Sequence, residues 1–198
     1  MDKTKISRDR KEGKMKVDIY NTDKKYNIIY ADPPWSYNLA SGKGTSRGVA
    51  ERYYNTMKLE DICNLPVGNL CDNAVLFMWA TFPNLPQALK VIENWGFKYK
   101  TVAFNWTKIY PKSGNPIMGC GYWTRANGEI CLLATKGKDY PRRINAGVQQ
   151  AIIEPKREHS RKPDVARKRI VELLGDIPRI ELFARQTVEG WDCWGNEV

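Results

Sequence analysis

Short apolar, β-branched or aromatic runs alternate along this chain with stretches whose apolar residues recur every three or four positions. The runs "YNIIYA" (26–31), "AVLFMWA" (74–80), "KTVAFNWTK" (100–108), "EICLLATK" (129–136), "QQAIIE" (149–154) and "RIELFA" (179–184) predict six strands. They are too continuously apolar for strands with one wet face, so both faces of a mostly parallel sheet should be covered. In "NLPQALKVIENWGF" (84–97), Leu85, Leu89, Ile92 and Trp95 share one helical face, and Gly96 suits the left-handed residue that ends a helix. In "KPDVARKRIVELLG" (162–175), Pro163 fits the first turn, Ala166, Ile170, Leu173 and Leu174 form the apolar stripe, and Gly175 stops it. The basic residues on its other side, Arg167, Lys168 and Arg169, read as a solvated face. The alternation of elements predicts an α/β fold.

Two segments break the pattern. Residues 36–52 are rich in Gly, Ser, Lys and Arg, and residues 110–123, "YPKSGNPIMGCGYW", are punctuated by Pro and Gly. Loops of this length in a compact domain read as binding loops. At 198 residues, with no repeat or low-complexity tract, the chain reads as one domain with one site.

Charge adds a partner. The net charge of +10 fits a polyanion, because neutralising phosphates releases counterions, although charge also serves solubility. Lys and Arg crowd residues 1–16, the loop "SGKGTSRGVAER" (41–52), "YPRR" (140–143) and "KREHSRKPDVARKR" (156–169). Aromatics that can stack on bases lie near them: Tyr37, Tyr53, Tyr54, Tyr110, Tyr122 and Trp123. Residues 1–16 carry charge without an apolar core, so they read as a disordered basic arm rather than a signal peptide, with the folded domain over 17–198. No apolar run approaches the thickness of a bilayer, and an intracellular, cytoplasmic protein without membrane contact is expected. The five cysteines are scattered, without a C-x-x-C pair, and predict for the most part reduced, buried apolar fillers rather than a disulfide framework or a zinc site. His159 is the single histidine, which argues against a His-rich metal centre and a Ser-His-Asp hydrolase; it reads as a capping or phosphate contact.

The first predicted strand runs straight into Asp32, Pro33, Pro34 and Trp35. In parallel α/β sheets, sites form beyond the carboxyl ends of the strands, which is where these residues emerge. Two prolines withhold N–H donors and leave carbonyl acceptors, so the turn suits a group carrying two N–H bonds, such as the exocyclic amine of a nucleobase. Asp32 would accept one hydrogen bond and the Pro33 carbonyl the other, while Trp35 or a nearby tyrosine stacks on the ring. An aryl amine is a poor nucleophile, because its lone pair is delocalised. Acceptors placed out of the ring plane draw the nitrogen toward tetrahedral geometry and stabilise the positive charge that develops on it. Asp and Pro also end strands at ordinary turns, which is the plain alternative.

Several motifs in order resemble one family: "ADPPW" (31–35), "YYNTM" (53–57), "LFMWAT" (76–81), "GEICLLATKG" (128–137), "REHSRKPD" (157–164) and "IELFARQTVEGWDCWGNEV" (180–198). The chain resembles the MT-A70 family of S-adenosylmethionine-dependent N6-adenine methyltransferases, most closely its small phage and bacterial members. The resemblance covers about residues 17–198. It implies a Rossmann-like methyltransferase sheet in permuted motif order, with the amine-binding turn before the cofactor strand. It further implies that Asp32, Pro33, Pro34 and Trp35 are catalytic, and that S-adenosylmethionine meets Asp18, Ile19, Asp32, Lys162, Leu182, Phe183, Arg185, Asn196 and Glu197. Trp35, Tyr37, Tyr54, Arg125 and Glu129 would face the substrate, without any metal. Glu129 reads equally as a plain surface carboxylate. Trp191 and Trp194 read either as a stacking platform or as core closure.

The resemblance also has departures. The turn after the cofactor strand, "FARQTVEGW" (183–191), holds glycine only at Gly190, so side chains such as Arg185 and Asn196 would carry more of the recognition. Thr187 and Val188 stand where the eukaryotic mRNA-modifying relatives have a His-Asn pair, which weakens the case for RNA. The expectation is methylation of the N6 amine of a flipped adenine in DNA by a monomer or homodimer. The alternatives are the same chemistry on RNA, or on the N4 amine of cytosine, and a catalytically silent nucleic-acid-binding paralogue. The silent members of this family lack the acid that Asp32 supplies. Residues 36–52 and 110–123 are expected to order only with substrate or cofactor.

Overall fold

The computed structural model describes residues 16–36, 56–121, 123–157 and 161–198. All six predicted strands form: β1 Ile28–Ala31, β2 Ala74–Ala80, β3 Lys98–Ile109, β4 Gly128–Lys136, β5 Ala151–Pro155 and β6 Arg179–Leu182. A seventh, β7 Asp192–Trp194, is three residues long and too short for a periodicity to reveal. The helices are α1 Leu59–Cys63, α2 Leu85–Asn94 and α3 Val165–Leu174. The sheet runs β5-β3-β4-β2-β1-β6-β7, with every neighbouring pair parallel except the two made by β4. This is a mixed α/β sheet, as the alternation of elements predicts.

Successive side chains point to opposite faces of a strand, and here they feed two cores. Ile29, Ala31, Leu76 and Met78 join Ala88, Val91 and Ile92 of α2 on one side. Ile28, Tyr30, Val75, Phe77 and Trp79 join Ala166, Ile170 and Leu174 of α3 on the other. Gly96 (φ 79°) and Gly175 (φ 91°) close the two longer helices in backbone conformations that side chains disfavour, as their positions predict.

The solvated reading of the basic helical face is corrected. Arg167 is buried rather than solvated, with its guanidinium on both oxygens of Glu181 (2.6 Å each) and on Asp164 (2.8 Å). Arg169 is half-buried and clamps the Gln149 and Ala151 carbonyls at the start of β5. Residues 110–121 hold a hydrogen-bonded excursion, in which Ile117 donates to Lys108 and Gly119 to Ala126, while residues 37–52 lie outside the described residues. The cysteines are free: Cys71, Cys131 and Cys193 are buried, Cys63 is half-buried and Cys120 is exposed.

The topology fixes one crevice. From β1 the chain moves through α1 to β2 on one side, whereas from β6 it moves to β7 on the other. The boundary between β1 and β6, where Ala31 lies opposite Leu182, is therefore the switch point at which such sheets bind ligands beyond their carboxyl ends.

Candidate active site

Asp32 is the first residue past β1 at this switch point, and Phe183 the first past β6. Along the turn, Pro33 and Trp35 point inward while Asp32, Pro34 and Ser36 reach the surface. Trp35 packs in the core cluster and donates its indole N–H to the Trp79 carbonyl (3.1 Å), so it braces the turn from below. This corrects the expectation of an open stacking face. The prolyl carbonyls are also engaged: Pro33 accepts the Trp35 N–H (2.9 Å) and Pro34 the Met57 N–H (3.0 Å). Each carbonyl oxygen has a second lone pair, so internal bonding aims the Pro33 acceptor without exhausting it.

Lys162 reaches Asp32 from the loop ahead of α3, with its ammonium 2.8 Å from Oδ2. It also meets Oε2 of Glu129, the second residue of β4, at 3.1 Å. Lys108 of β3 closes on the other Glu129 oxygen. Four side chains from four separate pieces of chain thus alternate in sign along the carboxyl edge. Glu129 is buried, which overturns its reading as a surface carboxylate.

Burial pushes the Asp32 carboxyl above the ordinary aspartate range, with Lys162 and Arg185 pulling the other way. Burial also opposes ionisation of Glu129, yet Lys162 and Lys108 outweigh it and hold that carboxyl below its usual value. Lys162 stays protonated: desolvation is overcome by the two acids, and its pKa rises. The loop carrying Lys162 is pinned by Asp164, which takes hydrogen bonds from Arg157 (2.5 Å), Arg161 (2.9 Å), Arg167 and Gln186 (3.3 Å).

The other predicted contacts gather at the same edge. Leu182 ends β6, and Phe183 holds φ 59°, the one positive φ among described non-glycine residues, with its ring 5.3 Å from that of Trp194. Such a conformation costs free energy and persists where surrounding structure demands it, often beside ligands. Arg185 faces Glu197 at 3.7 Å, and Asn196 is exposed beside it. Gly195, not singled out by the sequence, lets the end of β7 press against the turn after β6, because a Cβ there would overlap the Ala184 backbone. Lys16 bridges to Cys193 in parallel, so the segment that follows it runs out along β7 toward this edge. Asp18 is exposed there, bonded to the Tyr20 N–H and the Asn21 amide, while Ile19 is buried. Trp191 lies in the core rather than on a platform, and Trp194 is half-buried. Arg125 is exposed ahead of β4. Tyr37, Tyr53, Tyr54, Tyr122 and His159 lie outside the described residues.

No motif points to Lys108; it appears in sequence as one cation at the end of an apolar run. Among the described residues no cluster of His, Cys, Asp and Glu is placed to hold a metal, and no helix is long and apolar enough to cross a membrane.

The chain matches the MT-A70 family model over residues 26–197. The chain belongs to the MT-A70 family. S-adenosylmethionine is the methyl donor of this family's methyltransferases. The chain is 36% identical over 190 residues to the type II methyltransferase M.MunI of a Mycoplasma species, covering 88% of this chain and 78% of that protein. It is 29% identical to a putative N(6)-adenosine-methyltransferase MT-A70-like protein of Medicago truncatula, and 26% identical to the human N(6)-adenosine-methyltransferase catalytic subunit METTL3. It covers 88% of its own length in both cases, but only 26% and 28% of theirs.

Proposed function

We propose that this MT-A70 methyltransferase moves a methyl group from S-adenosylmethionine to the N6 amine of adenine in DNA, with the base flipped against the Asp32–Trp35 turn. The carrying observation is Asp32 itself: a carboxylate at the switch point, held by Lys162, beside a donor-free prolyl carbonyl. The residues suit the cofactor's chemistry. Lys162 offers a cation for a carboxylate, Leu182 and Phe183 an apolar wall, and Arg185, Asn196 and Glu197 polar groups for a ribose. Asp18 and Ile19, at the neighbouring β7 edge, would read its adenine ring. When bound, S-adenosylmethionine supplies an electrophilic methyl on a sulfonium.

The protein's part is to prepare the amine. Asp32 accepts one amine N–H and the second lone pair of the Pro33 carbonyl accepts the other, so the nitrogen lone pair turns out of the ring plane. Trp35 keeps the turn from yielding, because its indole is anchored to β2. With Trp35 turned inward, Tyr37 and Tyr54 are the aromatics left to stack on the base. Arg125, exposed ahead of β4, would face the substrate, and Glu129 would set the position of Lys162. Once methyl transfer has made the N–H acidic, Asp32 or water takes the proton.

DNA is favoured over RNA because a bacterial type II methyltransferase points to DNA and shares more sequence and most of its length with this chain. Thr187 and Val188 at the cofactor turn support the same choice. The N(6)-adenosine relatives keep RNA as the second reading. The intact Asp32 stands against a silent paralogue. Incubating the purified protein with labelled S-adenosylmethionine and separate DNA and RNA substrates, then identifying the methylated nucleoside by mass spectrometry, tests all of these. N6-methyldeoxyadenosine is expected; label only in adenosine would transfer the activity to RNA, and no label in any nucleic acid would leave a binding protein.

A further inference from the structure

We propose that Lys108 is a positioning residue for methyl transfer: by holding Glu129 from the β3 side, it keeps Lys162 available to Asp32. This rests on the reading of Asp32 given above. Glu129 is 6% exposed and lies between two ammonium groups, that of Lys108 and that of Lys162. Lys162 in turn lies between two carboxylates, 3.1 Å from Glu129 and 2.8 Å from Asp32. Lys108 stands at the outer end of this row, its side chain 16% exposed and 5.0 Å from the Trp106 ring. Its backbone is fixed on both sides, accepting from Ile117 and donating to Asn127.

The row has two positive and two negative groups. Without Lys108, the Lys162 ammonium is left between two carboxylates, one of them buried. Like charges sharing a site cannot both stay ionised cheaply, so the pair takes up a proton more readily. Glu129, having lost its other partner, also competes harder for Lys162. Either change harms an acceptor that must be charged and correctly aimed. The other titratable groups facing the pair are Cys131 on β4, Glu181 on β6 and Arg185 beyond it. All three act on Asp32, whereas Lys108 is the cation on the outer oxygen of Glu129.

Two measurements decide this. In the first, carboxyl-carbon NMR follows the Asp32 and Glu129 titrations in the cofactor-free protein and in Lys108→Met. The paired titration should move up by about one pH unit in the variant, and Lys108→Arg should restore it. In the second, single-turnover transfer is followed against pH. Lys108→Met should lose about tenfold more rate on the acid side than on the alkaline side, with Lys108→Arg returning the wild-type profile. Should Lys108→Met not fold, Lys108→Gln carries both comparisons. A titration identical to wild type, with a pH profile merely scaled down, would overturn the proposal and leave Lys108 a packing residue. If the wild-type protein transfers no methyl at all, the proposed function fails, while the carboxyl titration still decides Lys108.

Discussion

Two buried ion networks lie within a few residues of each other and are built differently. Behind the sheet edge, Arg167 closes on Glu181 through two parallel hydrogen bonds of 2.6 Å, and its guanidinium also lies 5.5 Å from the centre of the Tyr30 ring. At the edge, Lys162 meets Asp32 through Oδ2 and shares itself with Glu129. A guanidinium fork fixed to both oxygens is a closed unit, whereas an ammonium is a point charge that can be passed between partners. The first network suits holding α3 against β6. The second suits a site where a ligand carboxylate or an amine must take over an interaction. The lesson is that burial of charge alone does not mark a site; a replaceable partner does.

The largest effect expected from this contrast is chemical. Asp32→Ala should lower methyl transfer by about 10³-fold while cofactor and DNA binding stay within several-fold, because the lost bonds matter most as charge develops on nitrogen. Single-turnover rates and equilibrium titrations check it, and near-wild-type turnover would break the mechanism. The mirror experiment is structural. Arg167→Met leaves Glu181 buried without its fork, and denaturant unfolding should show a loss of about 3 kcal/mol. Replacing both partners, as Arg167→Met with Glu181→Leu, should recover much of that loss. A double variant no better than the single one would mean that Arg167 works through Asp164 instead.

Activity and stability should also separate in pH. Asp32 and Glu181 have carboxyl pKa values raised by burial, so folding favours their neutral forms, and the stability they contribute is lost as pH rises through those raised values. Glu129 and Asp164 are held low by their cations, so their contribution is present above the ordinary carboxylate range and lost only as pH falls through the lowered values. Activity requires ionised Asp32, so acidification should abolish transfer at a pH where the fold persists. Parallel rate and thermal-denaturation profiles test this. Glu129→Gln removes a negative neighbour and should move the acid limb of the rate profile downward, opposite to the shift expected for Lys108→Met.

Much of this was legible in the residues, and the gaps have physical causes. Strands and the two long helices follow from apolar runs and i, i+4 stripes, because burial of those faces is what the cores are made of. The Asp-Pro-Pro-Trp turn was legible because donor-free corners beside an acid are unusual in composition. Arg167 was misread because a basic residue at a helical position says nothing about a glutamate on a distant strand. Lys108 and Glu129 became partners only through strand register, Trp106 lying opposite Glu129, which no local pattern encodes. Trp35 was expected to face the substrate, but its inward alternation along the turn and the Trp79 carbonyl claim it for the core.

The smallest expected effect lies at Phe183, two residues beyond Glu181 and next after Leu182, which pairs with Ala31. Its φ of 59° costs a phenylalanine about 1–2 kcal/mol, whereas asparagine tolerates this region better. Phe183→Asn gives up part of the contact with Trp194, on the order of 1 kcal/mol for a half-buried ring, so strain relief and lost packing should nearly cancel. Denaturation midpoints should therefore move little. Affinity for S-adenosylmethionine should fall about tenfold, as expected when an apolar wall of roughly 50 Å² is lost. Calorimetric titration of the cofactor reads that change directly. A variant that loses stability but binds the cofactor normally would place Phe183 with the closed network behind the edge rather than with the exchangeable one.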